Sequence, residues 1–173
     1  MLDNFKKIKP RKTLHGEIGL PETYPVPRID GLLFYIQRNL NQNTVVYVIN
    51  QTKDGFLNEE YPMDVYWVNY TEGGVAKSLN QIQNKLAFGY KSKKINNESC
   101  RFHMVSYEQQ EFYIGKNEEG EYHVHTKLNG RMSMISNIYV YAEDFGVFPQ
   151  VKYIEFYGLD LKSKLPTYSK VLL

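Results

Sequence analysis

Short runs of β-branched and aromatic residues, interrupted by Gly, Asn and Asp, recur along most of this chain at the spacing of strands. Leu32 to Arg38 and Thr44 to Asn50 flank Asn39-Leu40-Asn41-Gln42-Asn43 and read as a hairpin with an asparagine-rich turn. A loop over 51–61 follows, with the turn former Asp54-Gly55. Val65, Tyr66, Trp67 and Val68 are apolar at successive positions, which predicts a strand covered on both faces in the middle of a core. Glu72-Gly73-Gly74 ends it. Ser78 with Gln81 then reads as a capping box, and Leu79, Ile82 and Leu86 fall on one helical face. With Gly89 as its C-cap, the pattern predicts one short helix over about 78–88.

Beyond the helix the period of two returns. Tyr90 to Ile95 is rich in lysine, as edge strands are when they must not pair with other chains. Cys100 to Tyr107 and Glu111 to Lys116 make a pair, and Asn117 to Gly120 turns into Glu121 to Leu128. Asn129-Gly130 is the strongest hairpin signal in the chain and leads into a long strand from Arg131 to about Ala142. Val151 to Leu159 is the last strand expected; the tail beyond Leu161 is polar until Val171-Leu172-Leu173. About nine strands joined by short turns, with one helix among them, predict a mainly β protein, an antiparallel β-sandwich or barrel.

The first 27 residues break this pattern. They contain Pro10, Pro21, Pro25 and Pro27 and no sustained period, so they read as an extended N-terminal arm ahead of a single β domain over 28–173. Charge separates the two regions as well. Lys6, Lys7, Lys9, Arg11 and Lys12 stand against Asp3 in the first twelve residues, whereas the whole chain carries only +2. A basic arm attracts phosphate, but Phe5 is its one stacking residue and the body offers no recognition helix, so nucleic acid ranks below a protein partner or a second copy of the chain. Tyr24, Pro25 and Pro27 suit docking in polyproline conformation and strengthen that order.

Composition narrows the chemistry. Length and apolar content suffice for a core without staples, and 15 tyrosines with 9 phenylalanines fit half-buried strands before they fit a binding face. Cys100 is the single cysteine, which rules out an intrachain disulfide and a cysteine-based zinc site. No stretch has the length of a membrane span and the start lacks the apolar run of a secretory signal, so the expected location is cytoplasmic, or exported if a signal has been removed.

His123 and His125 are one residue apart on a strand, so their imidazoles share a face about 7 Å apart. With His103 as third ligand and Glu121 or Glu111 as an acid, they are the candidates for zinc or iron; the competing reading is the solvent face of a hairpin. Asp64, Glu155, Gln37 and Arg38 interrupt apolar strands, and Asp64 with Arg38 or Arg28 is the expected ion pair. Cys100, Ser99, Ser106 and Ser133 lack the setting of a nucleophile, and no phosphate loop or dinucleotide fingerprint occurs.

Five segments carry a family resemblance: 33–39 (Leu33-Phe34-Tyr35-Ile36-Gln37-Arg38-Asn39), 43–47, 62–67, 83–90 and 151–158 (Val151-Lys152-Tyr153-Ile154-Glu155-Phe156-Tyr157-Gly158). In these the chain resembles a family of small bacterial proteins, well represented in Bacteroidetes, classified as a domain of unknown function. The resemblance implies a fold unit over about residues 29–160 and assigns no catalytic or binding residue. The functional expectation is therefore a non-enzymatic binding or accessory module that docks through its arm. A metal-dependent enzyme and a β-barrel carrier of a small apolar ligand are the alternatives.

Overall fold

The computed structural model describes residues 6–7, 24–143 and 149–173. Its strands are β1 (Lys6–Lys7), β2 (Pro25–Val26), β3 (Leu32–Arg38), β4 (Thr44–Ile49), β5 (Met63–Asn69) and β6 (Val75–Ser78), then β7 (Tyr90–Asn96), β8 (Ser99–Met104) and β9 (Tyr107–Lys116). β10 (Tyr122–Leu128), β11 (Arg131–Glu143), β12 (Gln150–Asp160) and β13 (Pro166–Leu172) complete the set. Nine of them run in the order β6-β5-β4-β3-β11-β10-β9-β8-β7, and β12 and β13 are added at β11. The sheet curls into a half-barrel. The expectation of a mainly β fold with one short helix holds.

Curvature has its origin in β11. β12 flanks this strand from Ser133 to Glu143, so β10 and β3 must share the opposite edge in succession. β10 pairs with residues 131–134 in antiparallel fashion, and β3 with residues 137–140 in parallel. A bulge between Ile135 and Asn137 marks the changeover, and bulges bend and twist the strand that carries them. Gly158 makes the close approach possible, because any Cβ there would collide with the Met134 carbonyl oxygen.

The concave side holds the core. Phe34 stacks on Tyr47 at 4.2 Å and also reaches Phe112 on the facing wall at 6.4 Å, while Phe102 and Phe112 stack at 5.1 Å. These rings fill one end of the trough and tie its two walls together. On the convex side, Tyr35, Val46 and Val68 pack under Val26 and Ile29, and Tyr24, Tyr139 and Tyr153 form a second cluster. Tyr24 is buried there and donates to the Arg38 carbonyl at 2.6 Å, and Gln37 Nε2 donates to the Pro25 carbonyl at 3.2 Å. Residues 24–27 are thus fastened to the sheet, although the sequence places them in the arm.

Several local expectations are corrected. The capping box is Asn80 with Gln83, because residues 75–78 are taken up by β6 as an exposed edge strand on β5. β5 therefore lies next to the edge of the sheet, with β3, β4 and β11 nearer its middle. The helix is a turn of α-helix, α1 (Gln81–Gln83), that widens into a π-helical turn over Asn84–Phe88. Gly89 is the C-cap as expected, in extended conformation with φ −67°; the wide turn sets the Asn84 carbonyl where a Cβ would be, and only glycine fits. The polar tail contains β13, paired with β12 from Tyr153↔Leu172 to Leu159↔Pro166. Proline begins this strand, where its missing N–H costs no ladder bond. The Asn129-Gly130 hairpin forms as expected, with φ of 48° and 79°.

Candidate functional site

The open end of the trough is a cavity of about 500 Å³. One wall is Ile36 and Arg38 of β3 with Ile138, Val140 and Ala142 of β11; Ile154 and Phe156 of β12 continue it. The facing wall is Met104, Tyr107 and Phe112 of β8 and β9. Ile82, Gln83, Leu86, Ala87 and Phe88, from α1 and the π-turn, form the rim. The volume lies within the range of small-molecule sites, and such sites are apolar with a few placed polar groups.

The rim is fixed at both ends and apolar between them. Gln83 closes the capping box with Asn80 and accepts a hydrogen bond from Trp67 Nε1 at 3.2 Å. Tyr47 donates to the Phe88 carbonyl at 2.7 Å, and Ser106 to the Ala87 carbonyl at 2.7 Å. Between these anchors Ile82 and Leu86, i and i+4 on one face, are 65% and 68% exposed. Two residues of the helical stripe, Ile82 and Leu86, thus edge the opening of the cavity. Contiguous apolar surface of this kind marks a place where something else binds.

Arg38 is the one charged side chain of the cavity lining among the described residues. The alternation of β3 puts it on the same face as Phe34 and Ile36, so the strand has to carry it inward. Its guanidinium lies 4.6 Å over the Trp67 ring, and its buried Nε has no hydrogen-bond partner. Burial pulls its pKa below the usual arginine range, and the Tyr24 hydroxyl opposes this in part. The expected ion pair with Asp64 is absent, because Asp64 is exposed. Among the described residues no carboxylate bridges to Arg38. A cation–π contact contributes about 0.5–2 kcal/mol, whereas withdrawing a charge from water costs several kcal/mol before screening by residual solvent. The contact with Trp67 alone does not offset the burial.

The remaining candidates lie elsewhere. His123 and His125 share the convex face as predicted, with ring centroids 5.2 Å apart, and His125 stacks on Tyr113. Burial lowers the pKa of both. No group of three His, Cys, Asp or Glu able to hold a metal forms among the described residues, so His103 and Glu121 do not complete a site with them. Two strand registers separate His103 from the pair, since β9 runs between β8 and β10. Glu155 is fully buried and accepts from Tyr157 at 2.7 Å and Tyr168 at 2.9 Å. Among the described residues it is held by hydroxyls and not by a cation.

Of the arm residues proposed to meet a partner, Lys6 and Lys7 pair with Val26 and Pro25 through β1 and β2. Tyr24 and Pro27 are buried against the body, and Lys9, Arg11 and Lys12 lie outside the described residues. No described helix is long and apolar enough to cross a membrane. A carrier of a small apolar ligand was among the alternatives, but the place and lining of the cavity escaped sequence reasoning. Their signal was present all the same: an arginine in an inward position of an apolar strand, and an amphipathic turn with no partner assigned to it.

Comparison with known proteins gives one match. Residues 34–170 match the model of a family described as "Domain of unknown function (DUF4833)". That span reaches further toward the C terminus than the resemblance in the sequence, and it takes in most of β13. No curated protein and no solved structure matches the chain.

Proposed function

Because the chain belongs to this family of unknown function, DUF4833, we propose from the geometry alone that it is a non-enzymatic binding module whose half-barrel holds a small apolar molecule. The observation that carries this reading is the cavity of about 500 Å³, walled by aliphatic and aromatic side chains and bordered by exposed Ile82 and Leu86. A trough of this size filled by water alone would leave its apolar lining hydrated, at roughly 25 cal/mol per Å² of surface left unburied. Docking through the arm has less support, since Tyr24 and Pro27 are already buried against the protein's own sheet.

The test is titration with N-phenyl-1-naphthylamine, an uncharged probe that fluoresces in apolar surroundings. The proposal predicts saturable one-to-one uptake by the native protein. Uptake should be lost in Ala142→Phe, where the added ring occupies the cavity from β11. Absence of saturable uptake by the native protein, or equal uptake by a folded Ala142→Phe, would refute it.

A further inference from the structure

We infer that the natural ligand of this cavity is a single-chain amphiphile with one negative charge, a long-chain carboxylate whose head group pairs with Arg38. The inference rests on the ligand-binding reading above and adds the chemistry of the ligand. Three observations converge on it.

The first is charge. Among the described residues, Arg38 places a guanidinium in a lining whose other side chains are uncharged, its Nε is buried without a partner, and no carboxylate pairs with it. An anion brought by a ligand would supply the missing countercharge. Guanidinium is planar and meets carboxylate with two parallel hydrogen bonds. One cation matches one negative charge; a phosphate monoester, with nearly two, would remain half-compensated in an apolar wall.

The second is size. At about 30 Å³ for each water-sized group, a cavity of about 500 Å³ accommodates about sixteen such groups, enough for one alkyl chain and not for two. The third is placement. Arg38 sits at the last position of β3, beside Trp67, Gln83 and the rim, whereas Met104, Phe112 and Phe156 line the aromatic end of the trough. A chain laid from Arg38 toward Phe112 and Phe156 keeps its charge near the rim and its methylenes against apolar walls.

Decanoate and 1-decanol, equal in chain length and different in charge, separate this inference from the reading beneath it. Competition of each against the neutral probe should show decanoate binding at least about tenfold more tightly than decanol to the native protein. Arg38→Met, which keeps length and apolar character without charge, should abolish that preference and leave decanol affinity the same or higher. Lengthening the carboxylate should tighten binding about fourfold per methylene until the trough is full. Equal affinity for decanoate and decanol in the native protein would overturn the inference while leaving the apolar site standing. So would preferential capture of two-chain phosphatidylglycerol from vesicles. Failure of both ligands to displace the probe would overturn it as well, and failure of the probe itself to bind would remove the underlying reading too. Arg38→Lys is the companion variant should Arg38→Met fold poorly: it keeps the charge but loses the planar fork, and should retain part of the preference. Loss of the entire preference with intact decanol binding would count against a charge-based site.

Discussion

Ile82 and Leu86 offer the sharpest contrast between a packed helix and the rim of a binding site. Replacing both by serine removes the apolar edge of the cavity while leaving every anchor of the segment in place: the Asn80–Gln83 capping box and the Trp67–Gln83, Tyr47–Phe88 and Ser106–Ala87 bonds. Full burial of an isoleucine or leucine side chain contributes about 1.5–3 kcal/mol. With 65% and 68% of these residues exposed, about a third of that is at stake at each, or about 1–2 kcal/mol for the pair. Leucine to alanine in a sealed core costs about 2–5 kcal/mol for one residue alone. Urea unfolding followed by emission of Trp67, the single tryptophan, reads the difference directly. We expect a loss of no more than about 2 kcal/mol together with weakened uptake of the neutral probe. A loss above about 4 kcal/mol would show that the two side chains are packed in the folded protein and that the opening described above does not exist.

Other consequences follow from single positions. Gly89→Ala brings a methyl group onto the Asn84 carbonyl, so it should lower the melting temperature by an amount equivalent to about 1–3 kcal/mol and loosen the rim; an unchanged melting curve would contradict the π-turn. Burial pushes the Cys100 thiol up to about 11, so the native protein should resist iodoacetamide at pH 8 and react only when unfolded. His123 and His125 are held below the ordinary histidine range by burial, so the unfolded chain binds protons that the native one refuses. Stability should be full above about pH 6.5 and fall as the pH drops below it, and changing both histidines to asparagine should flatten that part of the profile. Burial raises the Tyr90 hydroxyl to about 12; the unfolded chain ionises first, and stability should be lost as the pH rises from about 10 toward 12.

Much of the sheet was legible because its strands either alternate or form short β-branched and aromatic runs between turn residues. β10 alternates cleanly, β3 and β4 are short β-branched and aromatic runs buried at successive positions, Asn129-Gly130 fixed the β10–β11 hairpin through positive φ at both positions, and the lysines of β7 mark it as an edge. Strands carrying no apolar face were missed. β6 is exposed along its length and β13 is half-exposed, so their pairing is dictated by neighbours and not by their own pattern. Closure into a half-barrel was equally hidden: it depends on a bulge at Ser136 and on the close approach at Gly158, which sequence alone does not distinguish from ordinary strand residues. The helix was found with its apolar stripe, but periodicity shows that a stripe exists and not what it faces. Arg38 was noticed as an anomaly and given Asp64 as a partner, since an ion pair is the commonest remedy for an inward charge. The structure turns Asp64 toward solvent and leaves Arg38 beside a void.

Trp67 provides the most direct measurement of the central claim, because it lies against both Arg38 and Phe88 at the rim of the cavity. An alkyl ligand carrying bromine near its head group should quench Trp67 emission to a plateau at one equivalent, and Ala142→Phe should abolish the effect. Quenching that rises linearly with concentration without saturating, or that is unchanged by Ala142→Phe, would mean that the trough binds no ligand.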